Sequence, residues 1–169
     1  MLITSALPAD IPILVQLVNS AYRGENGQKG WTCESHLVEG SRTNASSVAE
    51  LMQEPHSVIL KYVDNEDVIG GCIYLQRQGD KLYFGMLSVL PSLQGAGVGK
   101  KLMAAATDHA RQNGCSAIRI TVISVRHELI AWYERHGFRR TGETEPFHGG
   151  IQFGVQKQPF DLLLLEKLL

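Results

Sequence analysis

The pattern of apolar and polar positions along the chain predicts strands and helices in alternation. Short runs rich in β-branched and aromatic residues, bounded by turn residues, predict strands at positions 2–5, 57–62, 68–76, 82–90, 117–123, 138–141 and 160–166. Apolar residues that recur three or four positions apart predict helices at 11–22, 47–53, 98–112 and 124–136, and a shorter helix at 33–39. We expect Asp10, Ser47 and Ser124 to cap three of these helices, because their side-chain oxygens can accept hydrogen bonds from a first helical turn.

The order of these elements indicates the fold class. The strands between positions 57 and 90 are joined by short polar turns and predict an antiparallel meander. The strand at 82–90, the helix at 98–112 and the strand at 117–123 form a β-α-β unit, which makes the two strands parallel neighbours. We therefore expect an α/β fold with a mixed α+β sheet, mostly antiparallel with one parallel pair and flanked by helices. At 169 residues the chain suffices for one domain with a real core, so we expect a single domain over residues 1–169.

Charge and composition narrow the classes of partner. The formal net charge is −1, so no electrostatic field attracts nucleic acid or an anionic membrane. The first residues lack a signal-peptide pattern, and no apolar run approaches the ~20 residues of a membrane span, so we expect a cytoplasmic protein. The cysteines form no Cys-x-x-Cys pair and the histidines show no ligand spacing, so we expect reduced thiols and no metal.

Glycines at every second position, Gly95, Gly97 and Gly99, follow the strand at 82–90. Such a turn at a helix start can hold a phosphate, because the first N–H groups of the helix point at the anion and glycine lets the backbone approach. The ATP-type loop would need glycine at Gln94, and the dinucleotide pattern would need glycine at position 100. The pattern Gln/Arg-x-x-Gly-x-Gly/Ala fits Gln94, Gly97 and Gly99. On the glycines alone, a plain strand-to-helix turn remains the alternative.

A second motif lies one helix and one strand further along the chain. Residues 128–138 read ELIAWYERHGF and match Ala-x-x-hydrophobic-Tyr-x-x-x-Gly-Phe, closely at Trp132, Tyr133 and Gly137. With both motifs in this order and at this separation, the chain resembles the GCN5-related N-acetyltransferases (the GNAT family). The resemblance covers residues 56–141, whereas the N-terminal third agrees only in the order of its elements. It implies the GNAT-like acyl-CoA N-acyltransferase fold, with the parallel strand pair at the cofactor site.

The resemblance also implies acetyl-CoA as the cosubstrate and the residues that hold it. The backbone N–H groups of the glycine turn would bind the pyrophosphate, with Gln94 bracing the turn. The residues of this segment are Gln94, Gly95, Ala96, Gly97, Val98, Gly99 and Lys100. The backbone of Leu87 and Val89 would align the pantetheine arm like an added strand. Many members of the family carry Asn near the start of the second-motif helix, where this chain has Arg126, whose guanidinium could reach a phosphate.

Tyr133 matches the tyrosine that serves as general acid in the family, so the resemblance implies that it protonates the leaving thiolate; the alternative is a core aromatic residue. An ordinary amine has a pKa near ~10.4 and must lose a proton before it attacks. Some members carry a glutamate base early in the strand before the glycine turn, but Tyr83 stands about there. The candidates for the base are therefore Glu25 and Glu34, with Tyr22 and Tyr83 along a water path; the alternative for each is a solvated surface residue.

These residues lead to one main hypothesis and two alternatives. The main hypothesis is transfer of the acetyl group of acetyl-CoA, by direct attack, to the primary amine of an unidentified acceptor, either a small amine or an amino-acid-like molecule. A protein lysine is an alternative acceptor, and a non-catalytic acyl-CoA-binding regulatory module of the same fold is the competing class. Retention of Tyr133 favours the enzyme, and the absent carboxylate favours the module. The loops at 23–47 and 142–158 would select the acceptor, and a homodimer is an assembly that the sequence leaves open.

Overall fold

The strands of the computed structural model, which describes residues 1–22, 37–147 and 155–169, form the expected mixed sheet. The strands are β1 (Leu2–Ser5), β2 (Val38–Glu39), β3 (Ser57–Val63), β4 (Ile69–Gln78), β5 (Lys81–Val89), β6 (Ala117–Ile123), β7 (Arg139–Pro146), β8 (Val155–Gln156) and β9 (Asp161–Leu168). Seven of them form one sheet in the order β1-β3-β4-β5-β6-β9-β7. Its neighbours are antiparallel except β5 and β6, which confirms the predicted parallel pair.

The strands β2 and β8 form a separate two-stranded sheet and correct two predictions. The helix predicted at 33–39 is wrong at its C-terminal end, because Val38 and Glu39 pair antiparallel with residues of β8. Residues 33–36 lie outside the described part of the chain. The strand β8 falls within a segment predicted as loop. Two-residue strands carry no periodicity, so this pairing is a tertiary feature that the sequence pattern does not reveal.

The helices of the described chain are α1 (Ile11–Tyr22), α2 (Ala45–Gln53), α3 (Val98–Gln112) and α4 (His127–Arg135). None of these helices is long and apolar enough to cross a membrane. The prediction for α3 is confirmed at both ends. Its start follows a glycine turn and its end is marked by Asn113 and Gly114, and both signals are local.

The predicted cap at Ser47 is wrong. The Oδ1 atom of Asn44 accepts the Ser47 N–H at 2.9 Å, so the helix α2 begins at Ala45. Asp10 ends a 3-10 turn (Pro8–Asp10) that leads into α1, and its carboxylate accepts the Leu7 N–H at 2.7 Å. It therefore caps that turn rather than α1.

The predicted cap at Ser124 is also wrong. The helix α4 begins after Arg126, and the Ser124 hydroxyl accepts the Asp161 N–H at 3.0 Å instead. The Ser124 N–H donates to the Asp161 carbonyl at 2.8 Å. These two bonds join the end of β6 to the start of β9, so a residue type that favours caps here links two strands.

The two faces of the sheet carry separate apolar clusters. The cluster that includes α3 and α4 side chains contains the fully buried residues Leu75, Leu82, Leu102, Ile118 and Ile130. The cluster that includes α1 and α2 side chains contains Leu14, Leu17, Val48, Ile59 and Tyr74. Full burial of one such aliphatic side chain is worth about 1.5–3 kcal/mol. The central strands are therefore covered on both faces and form a rigid base for a site at their ends.

The thiols of the described cysteines are part of this packing. Cys72 and Cys115 are free and buried. Burial raises the pKa of Cys72 to about 12, with small opposing contributions from Ser88 and Arg42, so the thiol is not a nucleophile near neutral pH. Cys33 lies outside the described residues. Within the described ranges, no group of three or more His, Cys, Asp and Glu side chains could hold a metal ion.

Candidate active site

The parallel strands β5 and β6 pair only at their beginnings. Lys81, Leu82 and Tyr83 are in register with Ala117, Ile118 and Arg119, and the pairing stops there. The strand β6 continues along its whole length in contact with β9. Among the described strands, none pairs with the second half of β5 on that side, and two cavities lie along it.

A β-bulge in β5 contributes to this separation. Met86 and Leu87 together oppose one residue of β4, and Met86 has a φ of 56°, in the left-handed region. A bulge bends its strand and increases the local twist, which re-aims the residues that follow. The Tyr22 hydroxyl at the end of α1 donates a hydrogen bond to the Leu87 carbonyl and holds the bulge from the other side.

The glycine turn has the backbone geometry that its sequence predicts. Gly95 and Gly97 have φ angles of 85° and 83°, and a Cβ atom at either position would meet nothing within 4 Å. Glycine is therefore favoured at both positions because of the backbone conformation, and not because a side chain would lack space. At Gly99 a Cβ atom would lie 3.7 Å from Val89 Cγ2 and 4.0 Å from Trp132 Cη2. This is ordinary contact distance, which explains why the motif accepts Gly or Ala there.

The start of α3 leaves N–H groups for an anion. Lys101 donates the first helical hydrogen bond, to Gly97 at 3.0 Å. The N–H groups of Val98, Gly99 and Lys100 precede that bond, so helix geometry provides no intrahelical acceptor for them. They lie at the positive end of a helix of fifteen residues.

Internal hydrogen bonds hold the turn in shape. The Gln94 side chain donates to the Val89 carbonyl at 3.3 Å, so Gln94 braces the turn against the end of β5. The Ala96 N–H donates to the Leu93 carbonyl at 3.2 Å and is used within the turn. Below the turn, a Cβ atom at Gly70 would lie 2.5 Å from Leu93 Cδ1. The Leu93 side chain therefore packs against β4 so closely that a larger residue at position 70 would force it to move.

A first cavity of about 460 Å³ lies between the glycine turn, β5 and α4. It brings together eight of the predicted cofactor-binding residues, namely Leu87, Val89, Gln94, Gly95, Gly97, Val98, Gly99 and Lys100. The opposite wall comes from α4 and the residue that follows it, and includes Trp132, Tyr133 and His136. The cavity thus joins a helix N-terminus, a strand with free space beside it and an aromatic wall.

A second cavity of about 310 Å³ lies between the separated halves of β5 and β6. Its walls include Tyr83, Thr121 and Arg126. It shares four wall residues with the first cavity, namely Tyr22, Leu87, Leu129 and Tyr133. These four residues mark the place where the two cavities meet.

The ring of Tyr133 lies on the core-facing side of α4 and packs against other aromatic rings. Its ring lies 6.0 Å from that of Phe84, 5.1 Å from Trp132 and 5.6 Å from Phe138, measured between centroids. The residue is 6% exposed. Edge and tilted contacts of this kind are favourable and fix the ring plane, so the hydroxyl has a defined position at the junction of the cavities.

Burial raises the pKa of Tyr133 well above its ordinary value. The nearby hydroxyls of Tyr22 and Tyr83 raise it further, and the charge of Arg126 opposes them. The hydroxyl therefore stays protonated at neutral pH and acts as a hydrogen-bond donor.

Arg126 lies away from the glycine turn. Its side chain is 7% exposed and lines the second cavity, and it is not among the residues that line the first. The structure therefore does not group Arg126 with the residues of the glycine turn, and its contact with a cofactor phosphate stays a prediction. The base candidates Glu25 and Glu34 lie outside the described residues.

Sequence reasoning missed several residues of the site. His136 lines the first cavity next to the motif residue Trp132, with ring centroids 4.3 Å apart, and their spacing of one helical turn is the signal that could have shown it. The glycine inside β4, Gly70, indicates close backbone approach. Arg42 lines the second cavity, and no motif surrounds it in the sequence.

The chain is similar to known acetyltransferases. The model of the acetyltransferase (GNAT) family matches residues 17–138. The acetyltransferase Atu2258 of Agrobacterium fabrum is 32% identical over 87 residues, which cover 52% of this chain and 61% of that one. A mycothiol acetyltransferase of Paenarthrobacter aurescens is 30% identical over 163 residues, covering 88% of this chain and 50% of that one. The chain thus spans about half to three-fifths of the length of these curated relatives.

A solved structure agrees on the fold. The ribosomal-protein-alanine N-acetyltransferase of Brucella melitensis superposes with a TM-score of 0.70 at 22% identity, over 100% of both chains. At this identity the likeness concerns the fold alone. The matched family model spans both motifs and more than half of the chain, and it shows that the chain belongs to the GNAT acetyltransferase family.

Proposed function

We propose that this protein transfers the acetyl group of acetyl-CoA to the primary amine of a small acceptor by direct attack. The observation that carries the proposal is the meeting of two cavities at Tyr133, one with an anion-binding helix start and one without. In this reaction the amine nitrogen bonds to the acetyl carbon, the carbon–sulfur bond breaks, and the sulfur takes a proton. The volume of the second cavity, about 310 Å³, suits a small acceptor.

The first cavity fits acetyl-CoA by its chemistry. The N–H groups of Val98, Gly99 and Lys100 at the start of α3 suit a pyrophosphate. The backbone of Leu87 and Val89 borders the cavity beyond the point where the described pairing of β5 with β6 ends, which suits an extended amide chain. Acetyl-CoA, when bound, supplies the activated thioester.

The amine must lose a proton to attack. None of the described residues that line the second cavity is acidic, so we assign this proton to Glu25 or Glu34, or to a water path beside Tyr22 and Tyr83. A positioned base contributes about 10²–10⁴-fold in rate.

Tyr133 assists the leaving group. Because its pKa lies above that of an ordinary thiol near ~8.5, full transfer of its proton to the thiolate is uphill. Its first contribution is therefore a hydrogen bond to the sulfur as negative charge develops there. Preorganised donors of this kind are worth about 2.7–4 kcal/mol where a charge develops in a closed site.

A thiol-release assay tests the proposal. The purified chain is incubated with acetyl-CoA and a panel of amino acids, polyamines and lysine peptides, and free CoA thiol is measured, with acetyl-CoA binding followed by calorimetry. We expect acetyl-CoA binding and amine-dependent thiol release. Binding without release on any acceptor supports the regulatory module instead, and release on peptides alone supports a protein acceptor.

A further inference from the structure

The second cavity carries two arginines that the transfer reaction itself does not require. Arg126 is almost fully buried and enters from the start of α4. Arg42 enters from the segment before α2, with its guanidinium carbon 5.7 Å from the centroid of the Tyr22 ring. Both line the same space between β5 and β6.

The position of Arg42 is held by its backbone. The side-chain oxygen of Asn19 accepts the N–H groups of Arg42 at 2.8 Å and Thr43 at 3.1 Å. The Asn19 amide group donates in return to the Thr43 carbonyl at 3.2 Å. This two-way contact pins the segment to α1, so the arginine is presented to the cavity by a fixed backbone.

The remaining described wall of this cavity offers no negative charge. It combines apolar side chains with the hydroxyls of Tyr22, Tyr83, Thr121 and Tyr133. Acidic residues occur in a neighbouring cavity, which contains Glu50 and Glu54 and lies beyond Arg42 and Tyr83. Arg42 and Tyr83 line both cavities, so the positive charge of Arg42 lies where the two adjoin.

We propose that the acceptor is a small primary amine that also carries a carboxylate group. The inference rests on the proposed acetyl transfer and names the class of its acceptor. The amine lies at the junction beside Tyr133, and the carboxylate lies towards Arg42 and Arg126. Arginine binds a carboxylate through two parallel hydrogen bonds, and the same charges disfavour an acceptor that carries a second ammonium group.

Matched acceptors test the charge preference directly. The panel holds α-amino acids and β-alanine, each beside its own carboxamide, together with diamines of similar length. We expect kcat/KM for each carboxylate to exceed that of its carboxamide by about tenfold or more, mainly through KM, and diamines to be the poorest acceptors. Equal or better rates with carboxamides or diamines overturn the inference but leave the acetyl transfer intact, whereas no thiol release with any member overturns the transfer itself.

Variants assign the preference to the two arginines. Arg42→Gln should reduce the carboxylate-to-carboxamide ratio by about tenfold, and Arg42→Lys should restore part of it. Arg126→Gln should act in the same direction, with a thermal melt to check folding because the residue is buried. Arg111→Gln in the last turn of α3 removes the same charge from an exposed position and should leave the ratio unchanged. An unchanged ratio in Arg42→Gln, with the control intact, refutes the assignment.

Discussion

The two ends of the β5–β6 pair differ in every respect that matters for function. At the first end the strands are hydrogen bonded, and Glu166 of β9 lies 3.0 Å from the ammonium group of Lys81 and 3.0 Å from the guanidinium group of Arg119. At the other end the strands separate, and a cavity replaces the hydrogen bonds. At the paired end, the polar groups of the strands bond to one another. At the open end, a cavity beside the strands leaves room for ligands.

This difference shows how the fold forms a site at one end of the strand pair while the other end keeps the sheet stable. The paired end, with charges from three strands in contact, holds the register of the parallel pair. The bulge at Met86 and the crossing from β5 into α3 then direct the backbone away from β6. We therefore expect changes at the open end to affect turnover or cofactor binding, and changes at the paired end to affect stability.

The largest effect should come from Tyr133→Phe at the open end. Loss of the hydroxyl removes the donor beside the leaving sulfur, so kcat should fall by about 10²-fold, whereas acetyl-CoA binding should change little because the ring and its aromatic contacts remain. Steady-state kinetics and calorimetry measure the two quantities.

Tyr62→Phe is the matched control for that prediction. Tyr62 is also buried and loses one hydroxyl, which contacts the Met1 sulfur, but it lines neither of the two cavities. Its kcat should stay within about twofold of the parent. Unchanged turnover in Tyr133→Phe would exclude the role assigned to that hydroxyl.

A smaller effect is expected at the two ends of α3. Gly97 and Gly114 have φ angles of 83° and 69°, and a Cβ atom meets nothing within 4 Å at either position. Alanine should therefore cost about 1 kcal/mol of backbone strain at both positions. Only Gly97→Ala should also raise KM for acetyl-CoA, by about tenfold, because only that end carries the proposed pyrophosphate site.

The comparison between these two variants separates strain from cofactor binding. Both should lower the melting temperature by about 2–4 °C. An equal rise in KM for acetyl-CoA in Gly114→Ala would show that strain in α3, rather than the glycine turn, controls affinity. Thermal melts and acetyl-CoA titrations of both variants decide the point.

The smallest effect should come from Glu166→Gln at the paired end. Burial alone would raise the pKa of Glu166, but the hydrogen bonds and charges of Lys81 and Arg119 outweigh it and hold the pKa below its ordinary value. The variant should lose about 1 kcal/mol in free energy of unfolding at neutral pH, with turnover nearly unchanged.

The pH dependence of that loss has a defined sign. Because the folded pKa of Glu166 lies below the unfolded value of about 4.3, its stabilisation is fully present above about 4.3 and declines as pH falls through the folded pKa. Denaturant titrations at neutral and acid pH should show the difference between parent and variant shrinking in acid. A difference that grows in acid would contradict the ion-pair account.

Much of the fold could be predicted because its signals are local. The strand at 117–123 and the helix at 98–112 agree with β6 and α3 at every residue, since alternation, helical spacing and terminal glycines act within a few positions. The caps failed for the opposite reason. A serine at 47 or 124 has the right chemistry, but Asn44 and the neighbouring strand compete for the same hydrogen bonds.

The sequence by itself determined the glycine turn, the second motif and the parallel pair, because each depends on backbone conformation and spacing along the chain. The tertiary structure decided where the pair separates and which side chains meet there. It placed Arg126 in the wall of the second cavity, which Arg42, from a segment without any motif, also lines. The physical reason is that a side chain's surroundings depend on the bulge, on the separation of β5 from β6 and on the packing of α1. All three depend on contacts between residues far apart in the sequence.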